Sequence, residues 1–176
     1  MSALLALVLL AAESFAIDYG QVFRDHADDI MVAEPGVLHL ELPGPVILER
    51  RGKRFHAEDQ SGWGPAGCAI DRLFVAGAAV TACPDMFSPE QRDRVASQLI
   101  RGVQFFALNT VPQMSETAAT EAMLGELARR RDRLSLLCVP GEPELAFAAH
   151  IAEDQSIARF GKIFAAPRLP VLEPCR

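Results

Sequence analysis

Apolar residues recur along this chain at several spacings, and each spacing predicts a different element. Residues 3–12 read ALLALVLLAA with no polar interruption, a length that suits the core of a secretory signal and falls short of a bilayer span. Ser14 and Ala16 place small residues where a cut after Ala16 needs them, so residues 1–16 are expected to be a signal peptide and 17–176 a single mature domain. No Lys or Arg precedes the run, which makes an uncleaved anchor the competing reading. No cysteine follows the cut, so a lipid-modified amino terminus has no support.

Beyond the leader, Tyr19, Val22, Phe23, His26 and Ile30 fall at helical spacing behind Asp18 as an N-cap. Short runs at 37–42, 46–50 and 53–58, separated by Pro43-Gly44-Pro45 and Arg51-Gly52, predict an antiparallel meander. A Gly- and Pro-rich loop over 59–67 leads into the apolar stretch 69–82, which Ala76-Gly77 divides into a hairpin between Cys68 and Cys83.

The period then changes. Ser88-Pro89-Glu90-Gln91 is a capping box with proline at the first helical position, followed by Val95, Leu99, Ile100, Val103, Phe106 and Ala107 on one face. Ser115 caps a second helix whose apolar face is Ala119, Ala122, Met123 and Leu127. Residues 134–139 read as a strand, 144–153 as a helix that also alternates, 157–164 as a strand, and the tail with Pro167, Pro170 and Pro174 as extended chain. The expected fold is α+β: an antiparallel sheet of about five or six strands with a helical hairpin packed on one face.

Composition adds limits. With 176 residues, 50% hydrophobic, 23% charged and net charge −6, the chain fits one globular domain; disorder, fibrous repeats and general nucleic-acid binding are poor fits. No transmembrane segment is expected once the leader is removed. Arginine outnumbers lysine fifteen to two, a codon-usage sign of a GC-rich bacterial source and hence of the periplasm. Four cysteines, Cys68, Cys83, Cys138 and Cys175, in an exported chain predict two disulfides. The local hairpin favours Cys68 with Cys83, leaving Cys138 for Cys175. Zinc competes poorly, because there is no C-x2-C pair and no histidine within four residues of a cysteine.

Candidate chemistry is sparse. His26, flanked by Asp25 and Asp29, could meet a divalent ion on one helix face, but it reads more simply as a solvated acidic face. His56 is followed by Glu58, Asp59 and Ser61, yet no G-x-S-x-G elbow accompanies them. His39 and His150 are expected to be satisfied, partly buried imidazoles. Trp63, set between Gly62 and Gly64, is either a ligand-stacking anchor or a plug at the open end of the sheet. Arg51, Lys53 and Arg54, with Arg50, make a basic hairpin that protects a sheet edge or receives an anion. The expected function is a non-catalytic periplasmic or secreted binding or accessory module for an envelope protein or small ligand, with no cofactor and no metal. The alternative is a small hydrolase or metal-dependent enzyme using His56 or His26 with Asp59 or Asp29. A cleft holding either histidine beside a carboxylate and a third polar group distinguishes the two.

Overall fold

The computed structural model describes residues 15–175, an α+β domain with a four-stranded antiparallel sheet. Helix α1 (Tyr19–Asp25) stops short of the expected Ile30, and strand β1 (Met31–Glu34), which the spacing does not predict, pairs onto the predicted meander of β2 (Val37–Leu42), β3 (Val46–Arg51) and β4 (Arg54–Asp59), in sheet order 1-2-3-4. Asp18 caps α1 by accepting the Gln21 N–H at 2.8 Å. The register sets Leu40 opposite Leu48 and Leu48 opposite Ala57, and because side chains alternate across a strand this row faces one way. Val22 and Phe23 of α1 and Leu169 and Val171 of the tail complete that core. The tail also closes one sheet edge, where Asp59 N–H donates to the Glu173 carbonyl at 3.0 Å. The opposite edge, β1, leaves Met31 and Val32 exposed by 50% and 71%.

The larger core is helical. Helix α2 (Ala66–Ala82) runs through its middle, with α3 (Pro89–Asn109), α4 (Glu116–Leu134) and α5 (Pro143–Ile151) packed around it and α6 (Asp154–Ile163) alongside. Its small residues let neighbours approach: a Cβ at Gly67 would lie 2.5 Å from the Pro170 carbonyl oxygen. The Ser88 box on α3 forms in full, and Ser115 caps α4 by accepting the Ala118 N–H.

Several expectations are corrected here. The 69–82 stretch is α2 and not a hairpin. A helix buried along most of its circumference keeps only a narrow polar strip, here Asp71 and Arg72, so the 3.6-residue stripe that would reveal it is weak. Residues 134–139 form no strand: α4 continues to Leu134, Ser135 ends it in the left-handed region at φ 47°, and irregular chain follows. Residues 157–163 belong to α6, with Phe164 as its C-cap, and its buried Ser156, Phe160 and Ile163 are spaced as one helical face. The sheet therefore has four strands, and the α3–α4 pair packs on α2 while α1 and the tail cover the sheet.

Two disulfides form, but with a different one of the three possible connectivities, Cys68–Cys175 and Cys83–Cys138. Cys68 and Cys83 stand at opposite ends of α2, about 22 Å apart at 1.5 Å per residue, far beyond bridging distance. The bridge from Cys68 spans 107 residues, and closing a loop of that size stabilises by about 4–5 kcal/mol on the chain-entropy account.

The apolar run 3–12 lies outside the described residues. Phe15 and Ala16 are described and belong to the fold: the Phe15 ring lies 5.1 Å from those of Phe74 and Phe106, and the Ala16 carbonyl accepts from the Thr110 hydroxyl at 3.2 Å. Among the described residues no helix is long and apolar enough to cross a membrane.

Candidate functional site

The loop after β4 is held by a buried ion pair. Asp59, at the strand end, accepts the Ser61 N–H at 2.8 Å through Oδ1 and the Arg168 Nε–H at 2.6 Å through Oδ2. The two side chains are 0% and 2% exposed. Burying two charges is costly unless every donor is satisfied, and Arg168 spends its others on the carbonyls of Gly64, Ile163 and Ala166. One guanidinium thus joins β4, the end of α6 and the 60–65 loop. Gly62 and Gly64 take φ of 76° and 100°, conformations that a side chain would strain, and between them Trp63 is turned outward.

Trp63 stands 52% exposed at the mouth of a cleft of about 380 Å³. From α2 come Ala69 and Arg72, from α5 Phe147 and His150, and from α6 Ser156, Arg159 and Phe160. Lys162 sits 5.0 Å over the indole ring, a cation–π contact. No carboxylate among the described residues pairs with Arg159. Asp59 borders the cleft but is fully engaged, and His150 Nδ1 lies 2.9 Å from Glu153 Oε2. No hydroxyl or thiol among the described residues hydrogen-bonds to His150.

A second cleft of about 390 Å³ lies on the other side of α2, lined by Phe15, Ile70, Phe74, Phe106 and Leu172 and rimmed by Asp71, Glu126, Arg129 and Arg130. Its charges satisfy each other: Arg130 hydrogen-bonds to Asp71 and Glu126, and Arg129 to Glu126 at 2.7 Å. Burial works to raise the Glu126 pKa, but the hydrogen bonds from Arg130 and Arg129 outweigh it and hold the carboxyl below its ordinary value. For Tyr19 at the same cleft, burial first and then the Glu173 charge raise the phenol.

The sequence-based candidates scatter. His56 and Asp59 lie three positions apart on one strand, so they face opposite sides of the sheet: His56 is exposed and pairs with Glu173 at 3.1 Å, while Asp59 is buried against Arg168. The His56–Asp59 arrangement is therefore not formed. His26 Nδ1 is 3.5 Å from Asp29, both exposed. Neither His26 nor His56 borders either cleft or a third, shallower one at Arg94 and Asp154. Among the described residues no group of three or more His, Cys, Asp or Glu could hold a metal ion.

Arg51, Lys53 and Arg54 stand exposed at the β3–β4 turn and border none of these clefts; Arg51 lies 3.6 Å from Glu34 of the edge strand. Of the proposed ligand contacts only Trp63 lies in the cleft. Sequence reasoning missed Arg72 and Arg159 there, because α2 and α6 read as strands, and His150, on a helix that was expected, reads only as a satisfied imidazole. The spacing of Ser156, Phe160 and Ile163 was the available signal for α6. No family model, curated protein or solved structure matches the chain.

Proposed function

We propose that this chain is an exported, non-catalytic binding module, periplasmic in a bacterial cell, with the Trp63 cleft as its ligand seat. The observation that carries the reading is a half-exposed indole fixed by a buried ion pair over a cleft of ligand size. Exposing an aromatic surface costs free energy, and here costly architecture, the Asp59–Arg168 pair and two left-handed glycines, holds it in place. Concave sites of about 300–1,000 Å³ with apolar walls and few polar groups are where small ligands bind. Two disulfides and the apolar leader support export. The hydrolase alternative asks for a histidine, a carboxylate and a third polar group in one cleft, and neither His26 nor His56 offers that.

The test expresses the chain with its leader in a bacterium and recovers it from the envelope. The expected product has no free thiol and begins at Ile17. Oxidised protein is then screened for thermal stabilisation by small acids, sugars and amino acids, with a Trp63→Ala variant in parallel. Stabilisation that disappears in the variant supports the cleft. A chain recovered reduced from the cytoplasm, or stabilisation that is identical in the variant, overturns the reading.

A further inference from the structure

We infer that the Trp63 cleft takes a small organic anion, an oxyanion group carried on a flat apolar body; this rests on the binding-module reading above. The charged side chains at the cleft with capacity to spare are cations. Arg159 is exposed, pairs with no carboxylate among the described residues, and has its Nη2 3.9 Å from where a Cβ on Gly64 would stand, which puts its charge against the loop that carries Trp63. Lys162 adds an ammonium over the indole ring. Among the described residues the one carboxylate lining the cleft, Asp59, is already used by Arg168 and Ser61. Guanidinium and ammonium groups have no acceptor to offer. Ser156 and His150 add a hydroxyl and an imidazole that can donate as well as accept, and a carboxylate or phosphate gains from the cations charge-assisted bonds that a neutral sugar does not.

Cations gathered in one concavity of a chain whose net charge is −6 are a local reversal, and low-dielectric walls focus such a field. Those walls are Phe147, Phe160, Ile151 and Ile163, which accept an apolar body but supply no hydrogen bonds to it. The indole face selects for flatness, since offset stacking needs a second planar surface.

The test is calorimetry on the full oxidised chain with four probes: benzoate, phenyl phosphate, neutral benzamide, and inorganic phosphate, which lacks the ring. Trp63 is the only tryptophan, so its emission reports whether a bound probe sits in this cleft. The expected result is that benzoate or phenyl phosphate binds at least about tenfold tighter than benzamide and inorganic phosphate and changes the emission. Arg159→Gln is expected to weaken that binding roughly tenfold, as loss of a charge-assisted hydrogen bond does, with an unchanged melting curve because Arg159 is exposed. The tighter of the two ring-bearing anions identifies carboxylate or phosphate as the oxyanion.

Benzamide binding as tightly as benzoate overturns the anion assignment and leaves the cleft a ligand seat. Inorganic phosphate matching phenyl phosphate overturns the flat body. Anion binding with silent emission, or unweakened by Arg159→Gln, overturns the placement. No binding by any probe overturns the anion inference, and if the wider screen is blank too, the module reading falls with it.

Discussion

The two principal clefts have nearly the same volume, about 380 and 390 Å³, and share α2 as a wall, yet they differ in how their contents are satisfied. The second is closed by the chain's own chemistry: Phe15 covers Phe74 and Phe106, and Arg129 and Arg130 are bound to Glu126 and Asp71. The first has an outward indole and an arginine with no carboxylate partner among the described residues. Volume alone would rank them equal. Pairing separates them, because a ligand entering the second cleft must displace existing hydrogen bonds, while one entering the first gains bonds that only water makes now.

The comparison is broken most severely at the Asp59–Arg168 pair. Arg168→Met leaves a buried carboxylate uncompensated and is expected to destabilise by about 3–5 kcal/mol, measured as a shift in the urea midpoint. The double variant with Asp59→Asn should recover a large part of that loss, because no charge is then left buried. A loss below 1 kcal/mol in the single variant would mean that the pair does not organise the loop.

Phe15→Ala attacks the other cleft. A half-buried ring with two aromatic partners contributes less than the 3–5 kcal/mol of a fully buried phenylalanine, so a loss of about 1–2 kcal/mol is expected. The emptied slot should then bind benzamide as well as benzoate, since its arginines are already paired. A charge preference in that slot would show that pairing is not what distinguishes the clefts. A chain processed after Ala16 loses the same ring and should melt lower than one that retains it.

What the sequence disclosed follows the range of the interactions. The Ser88 box, the Ser115 and Asp18 caps and the turns of the meander are made by residues within a few positions of each other, and all of them form as read. Helix α2 is specified by neighbours from three other helices, so its burial weakens the periodic signal on which a local reading depends. Placing Cys68 and Cys83 in a hairpin then misassigned both disulfides. The cleft suffered in the same way: Trp63 stood out through its flanking glycines, while Arg72, His150 and Arg159 come from three helices that converge only in three dimensions.

Acid provides a milder test of the paired cleft. Because the folded Glu126 pKa lies below its ordinary value, the carboxylate contributes stability that is present above the unfolded carboxyl pKa of about 4.3 and is lost as pH falls through the folded one. Urea midpoints measured downward from neutral pH should therefore fall less steeply in Glu126→Gln than in the parent. Equal slopes would show that Glu126 carries no linkage.

The smallest effect is expected at the basic hairpin, and it serves as the control for everything claimed of the first cleft. Arg54 and Asp59 end the same strand, about 17 Å apart at the strand rise, against a Debye length of about 8–10 Å at moderate salt. Charges at the hairpin are thus screened from a ligand beside Trp63. Neutralising Arg51 and Arg54 together should leave benzoate affinity within about twofold and stability within about 0.5 kcal/mol, as exposed pairs such as Arg51–Glu34 contribute little. If these charges guard an edge, the variant should also associate on storage, since β1 exposes Met31 and Val32 beside unpaired backbone, and light scattering reads that directly. A loss of benzoate affinity as large as that of Arg159→Gln would instead mean that the anion answers to the charge of the whole face, and the distinction between a built cleft and a merely basic surface would collapse.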